Sequence, residues 1–199
     1  GGRTHMSPGD VALLSTLPDW DVFVPGHADE VEAILRAAAE TDRRTYVRLS
    51  DQQNEIPIPT ATRGLEMIRP APYGSPVVVA VGPMLDDALA ATIELDVAVA
   101  YTARPFPLDT EALRHFVAGD IVWVEPYLEG TSAHAITDAL RDRAVRLRSI
   151  GVGRDELRRY GTAEDHIAAW GLDPAGLSAA INEFLTTAAP SVIPRTADL

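Results

Sequence analysis

Five histidines, at positions 5, 27, 115, 134 and 166, are the first side chains with chemistry to offer, and they are scattered. No two stand four apart, the spacing that sets two imidazoles on one helix face around a zinc ion. His115, His134 and His166 fall on predicted helices among polar neighbours, so solvent-facing side chains are expected. His27 lies in "VPGHADE", where glycine and small polar residues make a turn without further function. "GVGRDE" has the first two glycines of a dinucleotide-binding turn, but Glu156 stands where a third is needed. "EPYLEGTSAHA" runs from a strand end through Gly130 into a helix begun by Thr131 and Ser132. Such a helix start can hold an anion; the plainer reading is a tight turn and a capped helix. Asp86-Asp87 and Arg158-Arg159 read as exposed charges, and no serine has a histidine and acid partner by pattern.

These residues need elements to position them, and composition bounds what those can be. The 199 residues allow one domain or one and a fraction. Hydrophobic content of 46% and charged content of 23% are ordinary for a globular chain. With 17 basic against 29 acidic residues the net charge is −12, which argues against nucleic acid or an anionic membrane as partner. No cysteine is present, which excludes disulfides and thiolate chemistry and fits a cytoplasmic protein. No apolar run approaches the length of a membrane span.

Along the chain, "DVALLSTLP" predicts a short helix with Asp10 as N-cap and Pro18 as its stop. "DVFVP" and "TYVRLS" predict strands. Between them "DEVEAILRAAAE" predicts a helix with an Asp29–Glu32 capping box and an apolar face of Val31, Ile34, Leu35 and Ala38. So few elements cannot cover both faces of a parallel sheet. A proline-rich stretch follows, with a short strand at "LEMIR". From residue 76 four apolar strands, "VVVAVG", "VAVAYTA", "IVWVEPY" and "VRLRSIGV", alternate with amphipathic helices near 84–95, 109–118 and 132–143. Two more helices are expected near 163–170 and 174–187, the last capped by Asp173-Pro174, with Leu177, Ile181, Phe184 and Leu185 facing the core. The fold class is therefore α/β, a three-layer, mainly parallel sheet preceded by a partial α/β unit.

Landmarks in this order carry a resemblance. "VVVAVGPMLDDAL", "YTARPFPLD", "IVWVEPYLEGTSAHAITDAL" and "RRYGTAEDHIAAWGLDPAGLSAAI" resemble the C-terminal domain of the transketolase family of thiamine diphosphate enzymes. Related decarboxylase subunits and deoxyxylulose phosphate synthases share them. Thr4-His5, "LP" at 17–18, "VFVP" at 22–25 and "LSDQQN" at 49–54 resemble the last third of that family's pyrimidine-binding domain. The resemblance divides the chain into a pyrimidine-binding remnant (1–56), a linker (57–75), a transketolase C-terminal-like domain (76–190) and a loose tail (191–199). "GGRTHMS", which precedes and includes Met6, could by itself be a cloning remnant; the Thr-His spacing favours a native segment of a longer polypeptide or a trimmed subunit.

The resemblance implies substrate-binding roles for His5, which would hold the sugar, and for Asp51, which stands where the family places an arginine on the substrate phosphate. A carboxylate there would repel phosphate. Arg48, three residues earlier, is expected on the opposite strand face. Gly1 stands where transketolases carry an aspartate. The cofactor would be thiamine diphosphate with Mg²⁺, held by N-terminal domains or a separate N-terminal subunit, with no catalytic, cofactor or metal residue on this chain. The implied activity is transfer of a two-carbon ketol unit between sugars by a homodimer, the chain alone being inactive. The alternatives are a non-catalytic interaction or small-molecule-binding module, and a β-type subunit of a 2-oxo acid dehydrogenase.

Overall fold

The computed structural model describes residues 7–155 and 161–187, and within them two sheets. The first has two parallel strands, β1 (Trp20–Phe23) and β2 (Arg44–Val47). Helix α1 (Asp10–Leu14) precedes it, and α2 (Ala28–Ala39) makes the crossover. The second has five strands: β3 (Glu66–Arg69), β4 (Val77–Val81), β5 (Ala98–Thr102), β6 (Ile121–Leu128) and β7 (Leu147–Val152). Their order is β3-β5-β4-β6-β7, all parallel except the edge strand β3, which runs antiparallel to β5. The "LEMIR" stretch of the expected linker thus closes one edge of the larger sheet. Helices α3 (Leu85–Ala91), α4 (Thr110–Phe116), α5 (Ala133–Ala139), α6 (Ala163–Ala169) and α7 (Pro174–Thr186) supply the outer layers.

Strand β4 shows why this sequence makes three layers. All five of its residues are buried, and the two-residue period sends them to different cores. Val78 and Ala80 join Met84, Leu85, Ala88, Leu177 and Ile181 on one side. Val77, Val79 and Val81 join Leu113, Trp123, Tyr127 and Ile136 on the other. Leu177 and Ile181 of α7 are fully buried, with Phe184 and Leu185 packed beside them, as the helical spacing predicts. Asp173 caps that helix by accepting from the Gly176 amide at 3.0 Å.

The small sheet shares the second core, to which it contributes Val22 and Val24, with Val11 from α1. The Val22 and Val24 amides donate to the carbonyls of Phe106 and Ala103, so one edge of β1 is bonded to the larger unit. Strand β2 has β1 as its sole strand partner among the described residues, and its residues are half-buried or exposed.

A buried polar joint fixes the two sheets together. Glu30, fully buried on α2, accepts from the Gly26 amide (2.8 Å), the Tyr101 hydroxyl (2.7 Å) and the Ile58 amide (2.8 Å). Asn54 donates to the Gly82 carbonyl at 3.1 Å, and its own amide donates to Gly26. Gly26 and Gly82 let the turns after β1 and β4 touch: a Cβ on Gly26 would lie 2.6 Å from the Gly82 carbonyl oxygen, and Gly82 has φ of +58°.

Three local expectations are corrected. Helix α2 is capped by His27, whose Nδ1 accepts from the Asp29 amide, and not by an Asp29–Glu32 box. The Glu32 side chain pairs with Arg36 one turn on, and Asp29 lies inside the helix. Asp10 is the first residue of α1, with Gly9 at the cap; its carboxylate is drawn to the Tyr46 hydroxyl, and α1 stops at Leu14, before Pro18 is reached. Leu35 is 55% exposed and leaves the α2 core face, where Glu30 and Ile34 are the buried residues.

Candidate functional site

In open α/β sheets ligands bind beyond the carboxyl ends of the strands. A cleft of about 410 Å³ lies there, shared by both sheets. Val24 reaches it just after β1, Arg48 just after β2, Pro83 and Met84 just after β4, Pro126 from the last part of β6, and Val152 from the end of β7. One polar wall is Arg48, Ser50, Asp51 and Gln52. The other is α6, with Thr162, His166 and Trp170.

The α6 wall follows from spacing. Thr162, His166 and Trp170 stand four apart and share one helix face. Thr162 and Asp165 form a reciprocal capping box, the threonine oxygen accepting from the Asp165 amide and the aspartate from the Thr162 amide, which sets where α6 begins. His166 is therefore half-buried in the cleft wall, whereas His115 and His134 are exposed as expected. The expectation of a solvent-facing His166 is corrected; its signal was the Thr-x-x-Asp box, which fixes the helix phase.

The other wall forms where β2 ends. Strand alternation stops at Val47, so Arg48 is not carried to the opposite face and lines the same cleft as Asp51. Its guanidinium pairs with Asp10 at 3.4 Å, and Asp10 also accepts from the Tyr46 hydroxyl at 2.7 Å. Burial and the Asp10 carboxylate push the Tyr46 hydroxyl up to about 12, so it remains a donor. The Ser50 hydroxyl accepts from the Gln52 amide at 3.1 Å, a short turn that carries Asp51, exposed, on the cleft rim. His5, expected from the resemblance to hold the sugar, lies outside the described residues, as do Glu156, Arg158 and Arg159.

The wall residues offer a cation, a carboxylate, an imidazole, hydroxyls, an amide and an aromatic face, a set suited to the many hydroxyls of a sugar. Among the described residues no group of three or more His, Asp or Glu could hold a metal ion. The described residues of the cleft do not fit a Mg²⁺-diphosphate site.

The turn "EPYLEGTSAHA" resolves without an external anion. Glu125, fully buried within β6, accepts from the Thr131 amide (3.0 Å), the Ser132 amide (3.3 Å) and the Ser132 hydroxyl (2.7 Å). The chain's own carboxyl group occupies the start of α5. Burial pushes Glu125 up to about 7, against hydrogen bonds from Ser132 and its neighbours that pull it down. Asp87, expected as an exposed charge, is half-buried on α3, and burial with the nearby Asp86 and Asp173 raises its carboxyl group.

Comparison with known proteins agrees with this architecture. Residues 1–55 match the model of the transketolase pyrimidine-binding domain. An uncharacterized 33.6 kDa protein of the fasciation locus of Rhodococcoides fascians is 44% identical over 188 residues, covering 92% of this chain and 59% of that protein. A 1-deoxy-D-xylulose-5-phosphate synthase of Geobacter sulfurreducens is 30% identical over 205 residues, covering 90% of this chain and 31% of the synthase. Among solved structures, a split-gene transketolase described as an inactive β4 tetramer superposes with TM-score 0.76 at 25% identity, covering 93% of this chain and 64% of that one. The chain thus spans between about a third and two thirds of the length of these relatives. No helix among the described residues is long and apolar enough to cross a membrane. By sequence and by fold the chain is transketolase-like, matching the end of the pyrimidine-binding domain and the C-terminal domain of thiamine diphosphate-dependent enzymes of that kind.

Proposed function

We propose that this chain forms the C-terminal part of a transketolase-like transferase that moves a two-carbon ketol unit between sugars. The observation that carries the reading is the cleft at the carboxyl ends of both sheets, with Arg48–Gln52 facing Thr162, His166 and Trp170. On this reading His5 and Asp51 contact the sugar, while thiamine diphosphate and Mg²⁺ are bound by N-terminal domains or a separate N-terminal subunit. The cofactor supplies the carbanion chemistry; the residues of this chain orient hydroxyls and exclude water. The half-covered strand β2 supports this arrangement, because a two-stranded sheet is marginal without further layers. A split-gene transketolase among its structural relatives supports a separate subunit. Residues 1–56, 57–75, 76–190 and 191–199 keep the roles assigned by resemblance, and the assembly is a homodimer of complete units.

The test is reconstitution. The chain alone should give no heat with thiamine diphosphate and Mg²⁺ at micromolar concentrations. Co-expressed with a polypeptide carrying a Gly-Asp-Gly…Asn diphosphate motif, it should co-purify and transfer ketol units from a ketose donor. Cofactor binding by the chain alone overturns the division of labour. An assembled complex that binds the cofactor but acts on 2-oxo acids instead of ketoses overturns the proposed reaction.

A further inference from the structure

At the amino ends of β1 and β2, away from the cleft, lies a second cavity of about 490 Å³. Asp21 is at its base, 7% exposed, gripped by Arg43 through Nε at 2.7 Å and a terminal nitrogen at 3.2 Å, and by Arg104 at 2.9 Å. Arg104 lies over the Phe23 ring at 5.8 Å and donates to the Arg63 carbonyl at 3.4 Å. Arg63 itself is exposed on the cavity wall. Arg43, Arg63 and Arg104 thus line the cavity with one carboxylate among its lining residues, Asp21, while Asp19 lies near Arg43 outside it, on a chain of net charge −12.

Two buried polar atoms on this cavity's lining residues have no partner: Arg104 Nε and Thr45 Oγ1. Buried donors are satisfied in nearly all folded proteins, and here two, on residues of one cavity wall, are left without a partner. A guanidinium edge and a hydroxyl are both donors, and a wall with three arginines and one carboxylate suits an anion. The far side, Ala33, Ile34, Ala37 and Ala38 of α2, is apolar, and the volume exceeds that of bare phosphate.

We propose that this cavity is a second ligand site, taking a small organic phosphate whose phosphoryl group meets Arg104, Thr45 and Arg63 and whose body lies along α2. The proposal does not depend on the reading of the carboxyl-end cleft. It is tested by titrating the ¹⁵N-labelled chain with phenyl phosphate, inorganic phosphate and benzoate, and following amide shifts. Phenyl phosphate should saturate, moving the amides of Thr45 and of 60–63 and leaving 50–52 still. Inorganic phosphate should bind the same amides more weakly, and benzoate more weakly than phenyl phosphate. Arg63→Gln, an exposed change outside the Asp21 pairing, should weaken phenyl phosphate by about tenfold with an unchanged spectrum elsewhere. Thr45→Val should weaken it less. Shifts centred on 50–52, equal affinity for benzoate, absence of saturation, or an Arg63→Gln variant that binds as wild type each overturn it.

Discussion

The Tyr101 hydroxyl donates to Glu30 Oε2 at 2.7 Å across 71 residues of chain, with both side chains fully buried. Burial and the Glu30 carboxylate push Tyr101 far above the ordinary phenol range, so it stays a donor at any working pH. Tyr101→Phe removes that donor while keeping the ring, and leaves the carboxyl group with only the Gly26 and Ile58 amides. Unfolding in urea should show a loss of about 1.5–3 kcal/mol, the usual worth of a hydrogen bond to a charged group. An unchanged midpoint would remove the joint from the account of what holds the sheets together.

Gly26 is the steric partner of that joint. Its missing Cβ would press on the Gly82 carbonyl oxygen at 2.6 Å and on the Asn54 amide. The carbonyl is backbone, so no rotamer change relieves the contact. Gly26→Ala should cost about 1–3 kcal/mol by overpacking and shift amide resonances on both sides, near 26 and near 82. A variant as stable as wild type, with the perturbation confined to residue 26, would mean that the two turns are not in contact.

Glu125 makes stability depend on pH. Its group sits near 4.5 unfolded and about 7 folded, so between those values the folded state holds the extra proton. Its contribution is complete below about pH 4.5 and is lost as pH rises towards 7, on the order of 3 kcal/mol in all. Glu125→Gln cannot ionise and should lack this fall. Denaturation curves recorded from pH 4.5 to 7.5 should show wild type losing stability relative to Glu125→Gln as pH rises; parallel curves, or a change of the opposite sign, would count against a raised Glu125.

Asp51 bears on substrate choice. On the proposed function, a carboxylate on the cleft rim opposes a phosphorylated substrate end, and Asp51→Arg reverses the sign. In the reconstituted enzyme, KM for a phosphorylated ketose relative to its unphosphorylated analogue should drop about tenfold, with kcat little changed. A ratio unmoved by the substitution would take Asp51 away from the substrate end.

Periodicity alone determined the layers: the fully apolar β4, the helical spacing of Leu177 and Ile181, and the strand-helix alternation after residue 76 leave one way to bury those side chains. The motif order of "LSDQQN", "RPFPLD" and the terminal helix determined the family likeness, because short motifs with fixed spacing survive where overall identity is low. Only the tertiary structure decided which polar residues meet. His166 and Asp51 are more than a hundred residues apart, and they face one cleft because β2 ends at Val47 and α6 begins at Thr162. The Asp29–Glu32 spacing suggested a cap, yet His27 took that place, since local signals compete and packing chooses among them. Asp21, Arg43 and Arg104 carry no pattern that joins them; the chain places an acid between two arginines because Arg43 precedes the strand beside β1 while residues 103–106 bond to its other edge. Side-chain chemistry is written residue by residue, but proximity is a property of the folded sheet, and no one-dimensional spacing encodes it.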